Sequence, residues 1–205
     1  STNSTTAGIT FSGFAIAAYE VNDALGGTAA LAAFRARLAA RGLRLMLDFV
    51  PNHTALDHPW VRTHPDFYVQ GSDQAVETDQ GPRILAHGRD PNFPGWPDTL
   101  QLNYANGALQ AAQMQELATI AGQCDGVRCD MAMLVLADVF QSTWRHVPVD
   151  VDVAAGEFWH DAISHVKAEL NDFLFRAEAY WDLEGRLCDL GFDYAYDKKL
   201  YAAPF

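Results

Sequence analysis

Arg128 and Asp130 stand two positions apart in a segment, residues 126–132, whose pattern predicts a β-strand. Alternate residues of a strand point to the same face, so we expect the two side chains to project together. A nearby positive charge favours the ionised form of an acid, and Arg128 should therefore keep Asp130 ionised as a candidate nucleophile. Taken alone, an Arg-x-Asp pair is more often a structural ion pair. The choice between these interpretations depends on the residues that accompany it.

Two more acids lie near the C-terminal ends of other predicted strands. Asp48 lies in an apolar run, residues 43–50, that is typical of a strand covered on both faces in a parallel sheet. Glu178 lies in the predicted strand over residues 173–180. Catalytic groups of (β/α)₈ barrels gather at the C-terminal ends of the strands. The three acids therefore favour a barrel over an open doubly wound sheet.

Helix and strand patterns alternate at least three times, which predicts right-handed crossovers and a parallel sheet with helices outside it. Thr28 is expected to cap the first helix, on which Arg35 should face solvent or the helix end. Residues 52–106 are rich in Pro, Gly, Asp and His without a regular period, and a segment of that length is usually functional. The remaining elements are expected as helices at residues 109–120, 159–170 and 183–188 and a strand near residues 191–194.

The composition is that of a soluble globular chain, with 205 residues, 49% hydrophobic content and a formal net charge of -12. Without a basic stripe, this charge argues against nucleic acid or an anionic membrane as a partner. The three cysteines have neither disulfide-framework nor zinc-site spacing. No membrane-spanning run or signal peptide is recognisable in the sequence.

Several separated motifs, in the right order, resemble glycoside hydrolase family 13, the alpha-amylase family. The signature-like segments are residues 48–53, 126–131 and 175–182, and residues 13–27 and 191–194 are also similar to segments of the family. The resemblance implies an α/β fold, a partial (β/α)₈ TIM barrel of about strands 3 to 6 with a short domain B-like insertion after strand 3. It divides the chain into residues 1–51, the insertion 52–106, and residues 107–205.

The resemblance also implies a chemistry, that of a retaining alpha-glycoside hydrolase or transglycosidase acting on alpha-glucans or alpha-glucosides. Asp130 would be the nucleophile and Glu178 the general acid/base, two carboxylates flanking the scissile bond. Substrate binding would fall to Arg128, His53, Asp48 and Phe14, the last by stacking on a sugar ring. No cofactor is expected. Calcium, which many members bind, is disfavoured because Leu134 stands at one ligand position, although Asn52 is kept at another.

Nothing in the chain matches the fourth signature of the family, which carries a third essential aspartate. We therefore expect the parent protein to be an enzyme and this chain alone to have little or no activity. The missing barrel segments, or another copy, would be needed to cover open sheet edges. One alternative is a non-catalytic carbohydrate-binding or scaffolding relative. Another is a nucleotide-binding domain, for which Gly26-Gly27 is the only hint.

Overall fold

The computed structural model describes residues 15–146 and 157–196, so Phe14 lies outside the described residues. The α-helices, α1 to α6, span Gly27–Ala39, Pro59–Thr63, Gly107–Ala121, Ala137–Trp144, Phe158–Glu169 and Glu184–Asp189. The strands, β1 to β8, span Met46–Phe49, His53–Ala55, Gln70–Val76, Arg83–Leu85, Thr99–Gln101, Gly126–Cys129, Leu174–Ala177 and Tyr194–Ala195. Short 3-10 helices cover Asp23–Leu25, Pro65–Phe67 and Ala132–Val135. Within the described ranges, no helix has the length and apolar character needed to cross a bilayer.

Four of the strands form one parallel sheet in the order β1-β6-β7-β8. The connection from β6 to β7 contains α4 and α5, and the connection from β7 to β8 contains α6. The register places Asp48, Arg128 and Arg176 side by side on neighbouring strands. The expected α/β class and partial, unclosed barrel are confirmed by this arrangement.

The two faces of the sheet differ in burial. On one face, side chains from three strands are fully buried, namely Phe49, Val127, Cys129, Phe175 and Ala177. On the other face, Met46, Asp48, Arg176 and Tyr194 are exposed. The prediction that the first strand is covered on both faces is therefore wrong. Among the described strands β1 lies at the edge of the sheet, and its apolar run is buried on only one side.

The segment between β1 and α3 contains more regular structure than its sequence indicated. β2 pairs with β5 and β3 pairs with β4, both antiparallel and separate from the main sheet. Three of these strands have only three residues, too few to produce a visible period. Buried residues of the segment, including Phe67, Leu85 and Leu100, belong to one continuous core with those of the main sheet. The three-part division of the chain stays a prediction.

The start of α1 differs from the prediction that Thr28 caps it. Gly26 is the N-cap residue, with φ 95° and no side-chain hydrogen bond to the helix. This left-handed backbone suits glycine, and a Cβ at Gly26 would lie 2.6 Å from the Cβ of Ala30. Backbone conformation and close packing, not a hydroxyl cap, determine where this helix begins.

Arg35, expected to face solvent or the helix end, instead attaches α1 to the main sheet. Its Nε and Nη2 atoms donate to Asp125 Oδ1 at 3.1 and 2.7 Å, and the backbone N–H of Leu45 donates to Oδ2 at 2.8 Å. Burial acts to raise the pKa of Asp125, but the bonds from Leu45 and Arg35 outweigh it and lower the pKa. Asp125 therefore links the helix, the approach to β1 and the approach to β6.

Replacing this carboxylate, Asp125→Asn, is expected to lower the free energy of unfolding by about 1–2 kcal/mol at pH 7. A carboxyl whose pKa is lowered by folding stabilises the fold above its unfolded pKa of about 3.9 and loses that contribution as the pH falls further. The deficit should therefore shrink below about pH 4. Urea unfolding at pH 7 and again below pH 4 measures this deficit in the free energy of unfolding. The matched control is the exposed Asp172→Asn. Equal losses in the two variants would contradict the role of Asp125.

Candidate active site

The two candidate catalytic carboxylates follow directly on neighbouring strands. Asp130 comes after β6 and Glu178 after β7, and the last paired residues of these strands are Cys129 and Ala177. Two backbone hydrogen bonds continue the ladder past the strands: Asp130 N to Phe49 O at 2.8 Å and Glu178 N to Cys129 O at 2.9 Å. The parallel register therefore places both acids at the same C-terminal edge of the sheet.

Arg128 bridges the two carboxylates with its guanidinium group. Its Nη1 donates to Asp130 Oδ1 at 2.8 Å, and its Nη2 donates to Glu178 Oε2 at 2.7 Å. Asp130 is 7% exposed and Glu178 is 9% exposed. A charge-assisted fork of this kind fixes both acids and reduces the cost of burying them. The expected projection of Arg128 and Asp130 to one side is therefore observed.

Glu178 accepts two further hydrogen bonds. The Tyr180 hydroxyl donates to Oε1 at 2.6 Å, and the backbone N–H of Met131 donates to Oε2 at 3.0 Å. Met131 has φ 45°, a left-handed conformation in the turn that follows Asp130. Burial, and then the hydrogen bond and charge of Glu178, raise the pKa of Tyr180 to about 12. Tyr180 therefore remains a hydrogen-bond donor to Glu178 at neutral pH.

The electrostatic setting of Asp130 differs from the expectation that Arg128 would keep its pKa low. Burial and the negative charge of Glu178 raise the pKa of Asp130 to about 6, against the opposing effect of Arg128. Arg128 divides its charge between two carboxylates, and two acids at one site cannot both ionise easily. Asp130 is still mostly ionised at neutral pH.

Two other predicted site residues, Asp48 and His53, lie in different surroundings. Asp48 Oδ1 is 3.7 Å from Arg128 Nη1, and the Asp48 side chain is 61% exposed on the open face. His53 is buried in β2, with its ring centroid 5.2 Å from that of Trp96 and its Nδ1 3.4 Å from Asn52 Nδ2. The structure thus joins Asp48 to the Arg128 cluster and packs His53 beside Trp96 within the 52–106 segment.

Tyr196 and Arg176 were not predicted as site residues. The Tyr196 hydroxyl accepts a hydrogen bond from Arg128 Nε at 3.2 Å. The guanidinium carbon of Arg176 lies 4.5 Å from the centre of the Tyr196 ring. Alternation from Tyr194 along the last strand would have placed Tyr196 on the same face, which is the signal that could have found it.

The residues that the family resemblance assigns to calcium do not fit that ion. Asn52 Oδ1 accepts from Gln101 Nε2 at 3.0 Å, and Asn52 Nδ2 donates to Gln101 Oε1 at 3.2 Å. Leu134 is an apolar residue, 3% exposed, in the 3-10 helix after β6. Calcium requires several oxygen ligands. Across the described ranges, no group of three or more His, Cys, Asp or Glu residues is placed to hold a metal.

A model of the alpha-amylase catalytic domain matches residues 6–188 of the sequence. The chain belongs to the alpha-amylase family. No curated protein sequence matches it. Membership agrees with the two carboxylates at the C-terminal edge of the parallel sheet, where barrel enzymes place catalytic groups. It supports a glycoside hydrolase function in general terms.

Solved alpha-amylase structures share the fold. An alpha-amylase from Lactobacillus plantarum is 26% identical with TM-score 0.66, over 92% of this chain and 40% of that chain. An alpha-amylase from H.orenii is 21% identical with TM-score 0.66, over 92% of this chain and 40% of that chain. A debranching enzyme from Nostoc punctiforme is 16% identical with TM-score 0.62, over 90% of this chain and 37% of that chain. The chain thus spans two fifths or less of the length of these relatives.

Proposed function

We propose that this chain carries the nucleophile and the general acid/base of a retaining alpha-glycoside hydrolase or transglycosidase that acts on alpha-glucans or alpha-glucosides. The observation that carries the proposal is the Arg128 guanidinium, which binds Asp130 and Glu178 at once. Retaining glycosidases need two carboxyl groups close together, about 5–5.5 Å apart. A single guanidinium that holds both acids favours such a short separation.

In the first step, Asp130 attacks the anomeric carbon while Glu178 donates a proton to the departing glycosidic oxygen. The bond from the anomeric carbon to that oxygen breaks as the bond to Asp130 forms. In the second step, Glu178 removes a proton from water or from a sugar hydroxyl, and that oxygen displaces Asp130. The configuration at the anomeric carbon is thereby retained. Arg128 stabilises whichever carboxylate is ionised at each stage.

Substrate binding would fall to the residues around this pair. Asp48 lies on the exposed face beside Arg128, where its carboxylate can accept hydrogen bonds from sugar hydroxyls. His53, beside Trp96, would contribute a ring nitrogen from the 52–106 segment. Phe14 is proposed to stack on a sugar ring, as the family resemblance implies.

The proposed role of Asp130 as the nucleophile predicts how kcat/KM changes at acidic pH. Because Asp130 must be ionised to attack and its pKa is raised to about 6, kcat/KM should fall below about pH 6. The fall should approach tenfold per pH unit where one proton controls the reaction. Initial rates on 4-nitrophenyl alpha-glucoside from pH 4 to 8, with the product of the reading frame that contains this chain, measure this fall. Activity recovered after incubation at low pH and return to pH 7 is the control for unfolding. A rate that stays constant down to pH 4.5 would contradict this prediction.

The proposal is tested by trapping the covalent intermediate. A fluorinated glucosyl fluoride has an activated leaving group, while its ring fluorine slows hydrolysis of the glycosyl-enzyme. We expect the reagent to add one sugar to the protein, with peptide mass spectrometry locating it on Asp130. Asp130→Asn should not be labelled, whereas the exposed Asp172→Asn should be. A label on another residue would reject Asp130 as the nucleophile. The absence of both label and turnover in the product of the reading frame that contains this chain would favour a non-catalytic carbohydrate-binding relative.

The test uses two proteins, the 205-residue chain and the product of the reading frame that contains it. In the part of the chain that the structure describes, one sheet face is exposed at Met46, Asp48, Arg176 and Tyr194, and the outer strands of the sheet are β1 and β8. A substrate cleft needs walls that position the sugar, so we expect little turnover from the chain alone. Rapid turnover of maltotriose by the chain would overturn this expectation.

A further inference from the structure

The guanidinium group of Arg128 has a third hydrogen-bonding partner besides the two acids. Its Nε donates to the Tyr196 hydroxyl at 3.2 Å, while Nη1 and Nη2 donate to Asp130 and Glu178 at 2.8 and 2.7 Å. The Arg128 side chain is only 18% exposed. Each of its three nitrogens therefore bonds a different acceptor, and three separate acceptors fix the orientation of the planar group.

A guanidinium placed between two carboxylates has a competing arrangement, in which one acid takes a whole edge of the group. Nε and Nη2 form one such edge, and a carboxylate frequently binds both nitrogens of an edge with its two oxygens. Here Glu178 occupies Nη2, but the Tyr196 hydroxyl occupies Nε on the same edge. Tyr196 therefore keeps Glu178 from taking the whole edge, which leaves Nη1 directed at Asp130.

Tyr196 reaches Arg128 across an intervening strand. Its backbone N–H donates to Ala177 O at 3.1 Å, which continues the pairing of β7 with β8 by one residue. Because β7 lies between β6 and β8, the Tyr196 side chain must pass over β7, where Arg176 is the register partner of Arg128. The Arg176 guanidinium carbon lies 4.5 Å from the centre of the Tyr196 ring, a cation–π distance. Backbone pairing and this contact therefore hold the ring independently of its hydroxyl.

We propose that Tyr196 is a positioning residue whose hydroxyl keeps the Arg128 guanidinium divided between Asp130 and Glu178. The inference rests on the proposed function for the roles of the two acids. Tyr196 acts through Arg128 and not on the substrate. Without an acceptor at Nε, the guanidinium shifts toward Glu178 and pairs with it along one edge. Its bond to Asp130, the proposed nucleophile, is thereby weakened.

The ionisation of Asp130 reports on the orientation of Arg128. Burial and the negative charge of Glu178 raise the pKa of Asp130 to about 6, and Arg128 opposes both. Asp48, on the neighbouring strand, lies 3.7 Å from the same Nη1 atom that binds Asp130. A weaker bond from Arg128 removes part of the opposing effect, so the pKa of Asp130 should rise further. A shift in this pKa therefore distinguishes a positioning role from a contribution to stability alone.

Tyr196→Phe tests the inference, because it removes the hydroxyl and keeps the ring beside Arg176. In the product of the reading frame that contains this chain, the midpoint of the acidic fall in kcat/KM should move up by about 0.5–1 pH unit. With 4-nitrophenyl alpha-glucoside, the loss at pH 5 should then exceed the loss at pH 8 by about three- to tenfold. Tyr194→Phe, the same change at a 59% exposed residue of β8, is the matched control and should leave the profile unchanged.

The shape of the pH profile decides between positioning and stability. A variant that only folds less well loses kcat by the same factor at every pH and keeps the midpoint of the wild type. That result, a profile identical to the wild type, or a midpoint moved to lower pH would overturn the inference. Activity recovered after return from each pH to pH 8 controls for unfolding of Tyr196→Phe in acid.

A second measurement needs no turnover and separates this inference from the proposed function. Carbon-13 NMR of aspartate carboxyl groups in the 205-residue chain follows the titration of Asp130, whose resonance is identified by its loss in Asp130→Asn. We expect the midpoint to rise by about 0.5–1 pH unit in Tyr196→Phe and to stay constant in Tyr194→Phe. This rise without labelling of Asp130 by the fluorinated reagent would reject the glycosidase and keep the positioning role. Labelling of Asp130 without the rise would do the reverse.

Discussion

Asp130→Asn is expected to lower kcat/KM for alpha-glucosides by about 10⁴-fold or more, because the amide cannot form the covalent glycosyl intermediate. The variant keeps the size of the side chain and its place after β6. The loss should therefore be the same for substrates with good and poor leaving groups, since each needs the same nucleophile. Steady-state kinetics of the reading-frame product with 4-nitrophenyl alpha-glucoside and maltotriose measure it. A loss below about tenfold would exclude Asp130 as the nucleophile.

The same variant should be more stable than the wild type at neutral pH, which separates lost chemistry from lost structure. Folding raises the pKa of Asp130 to about 6 from an unfolded value of about 3.9. An acid with a raised pKa stabilises the fold below its unfolded pKa and loses that contribution as the pH rises through its folded pKa. Removing the charge should therefore raise the free energy of unfolding at pH 7.5 by about 1–3 kcal/mol. The gain should disappear near pH 4. Thermal melts at both pH values measure it, and a variant less stable at pH 7.5 would contradict the burial argument.

Glu178→Gln is expected to affect substrates according to their leaving group. Maltotriose, whose departing sugar needs a proton, should lose about 10²–10⁴-fold in kcat/KM. Glucosyl fluoride, whose fluoride departs with little help from a general acid, should lose less than about tenfold in the first step. Glutamine keeps an oxygen that can accept a hydrogen bond from Tyr180 or Met131, so the site should retain its shape.

Comparing the two substrates in one enzyme preparation removes uncertainty about the folded fraction. Glu169→Gln, at the exposed end of α5, is the matched control and should leave both rates unchanged. Equal losses on maltotriose and glucosyl fluoride would show that Glu178 does not act as the general acid. In that case the Arg128 fork would hold a structural acid pair, the interpretation that a lone Arg-x-Asp favours.

The sequence alone was sufficient for features that depend on neighbours along the chain. The periods over residues 109–120 and 159–170 correspond to α3 and α5, because an amphipathic helix repeats its apolar positions locally. The side chains of Arg128 and Asp130 meet because alternation along one strand requires it. The strand-end position of Glu178 also followed from a local pattern.

Only the tertiary structure decided the features that depend on distant parts of the chain. The pKa of Asp130 follows from burial and from Glu178, a residue 48 positions away in sequence whose approach no local pattern encodes. Arg35 meets Asp125 across 90 positions, and Tyr196 meets Arg128 across 68. The exposed face of β1 depends on which strands lie beside it. Burial and charge are sums over spatial neighbours, and the fold, not the order of residues, determines which neighbours those are.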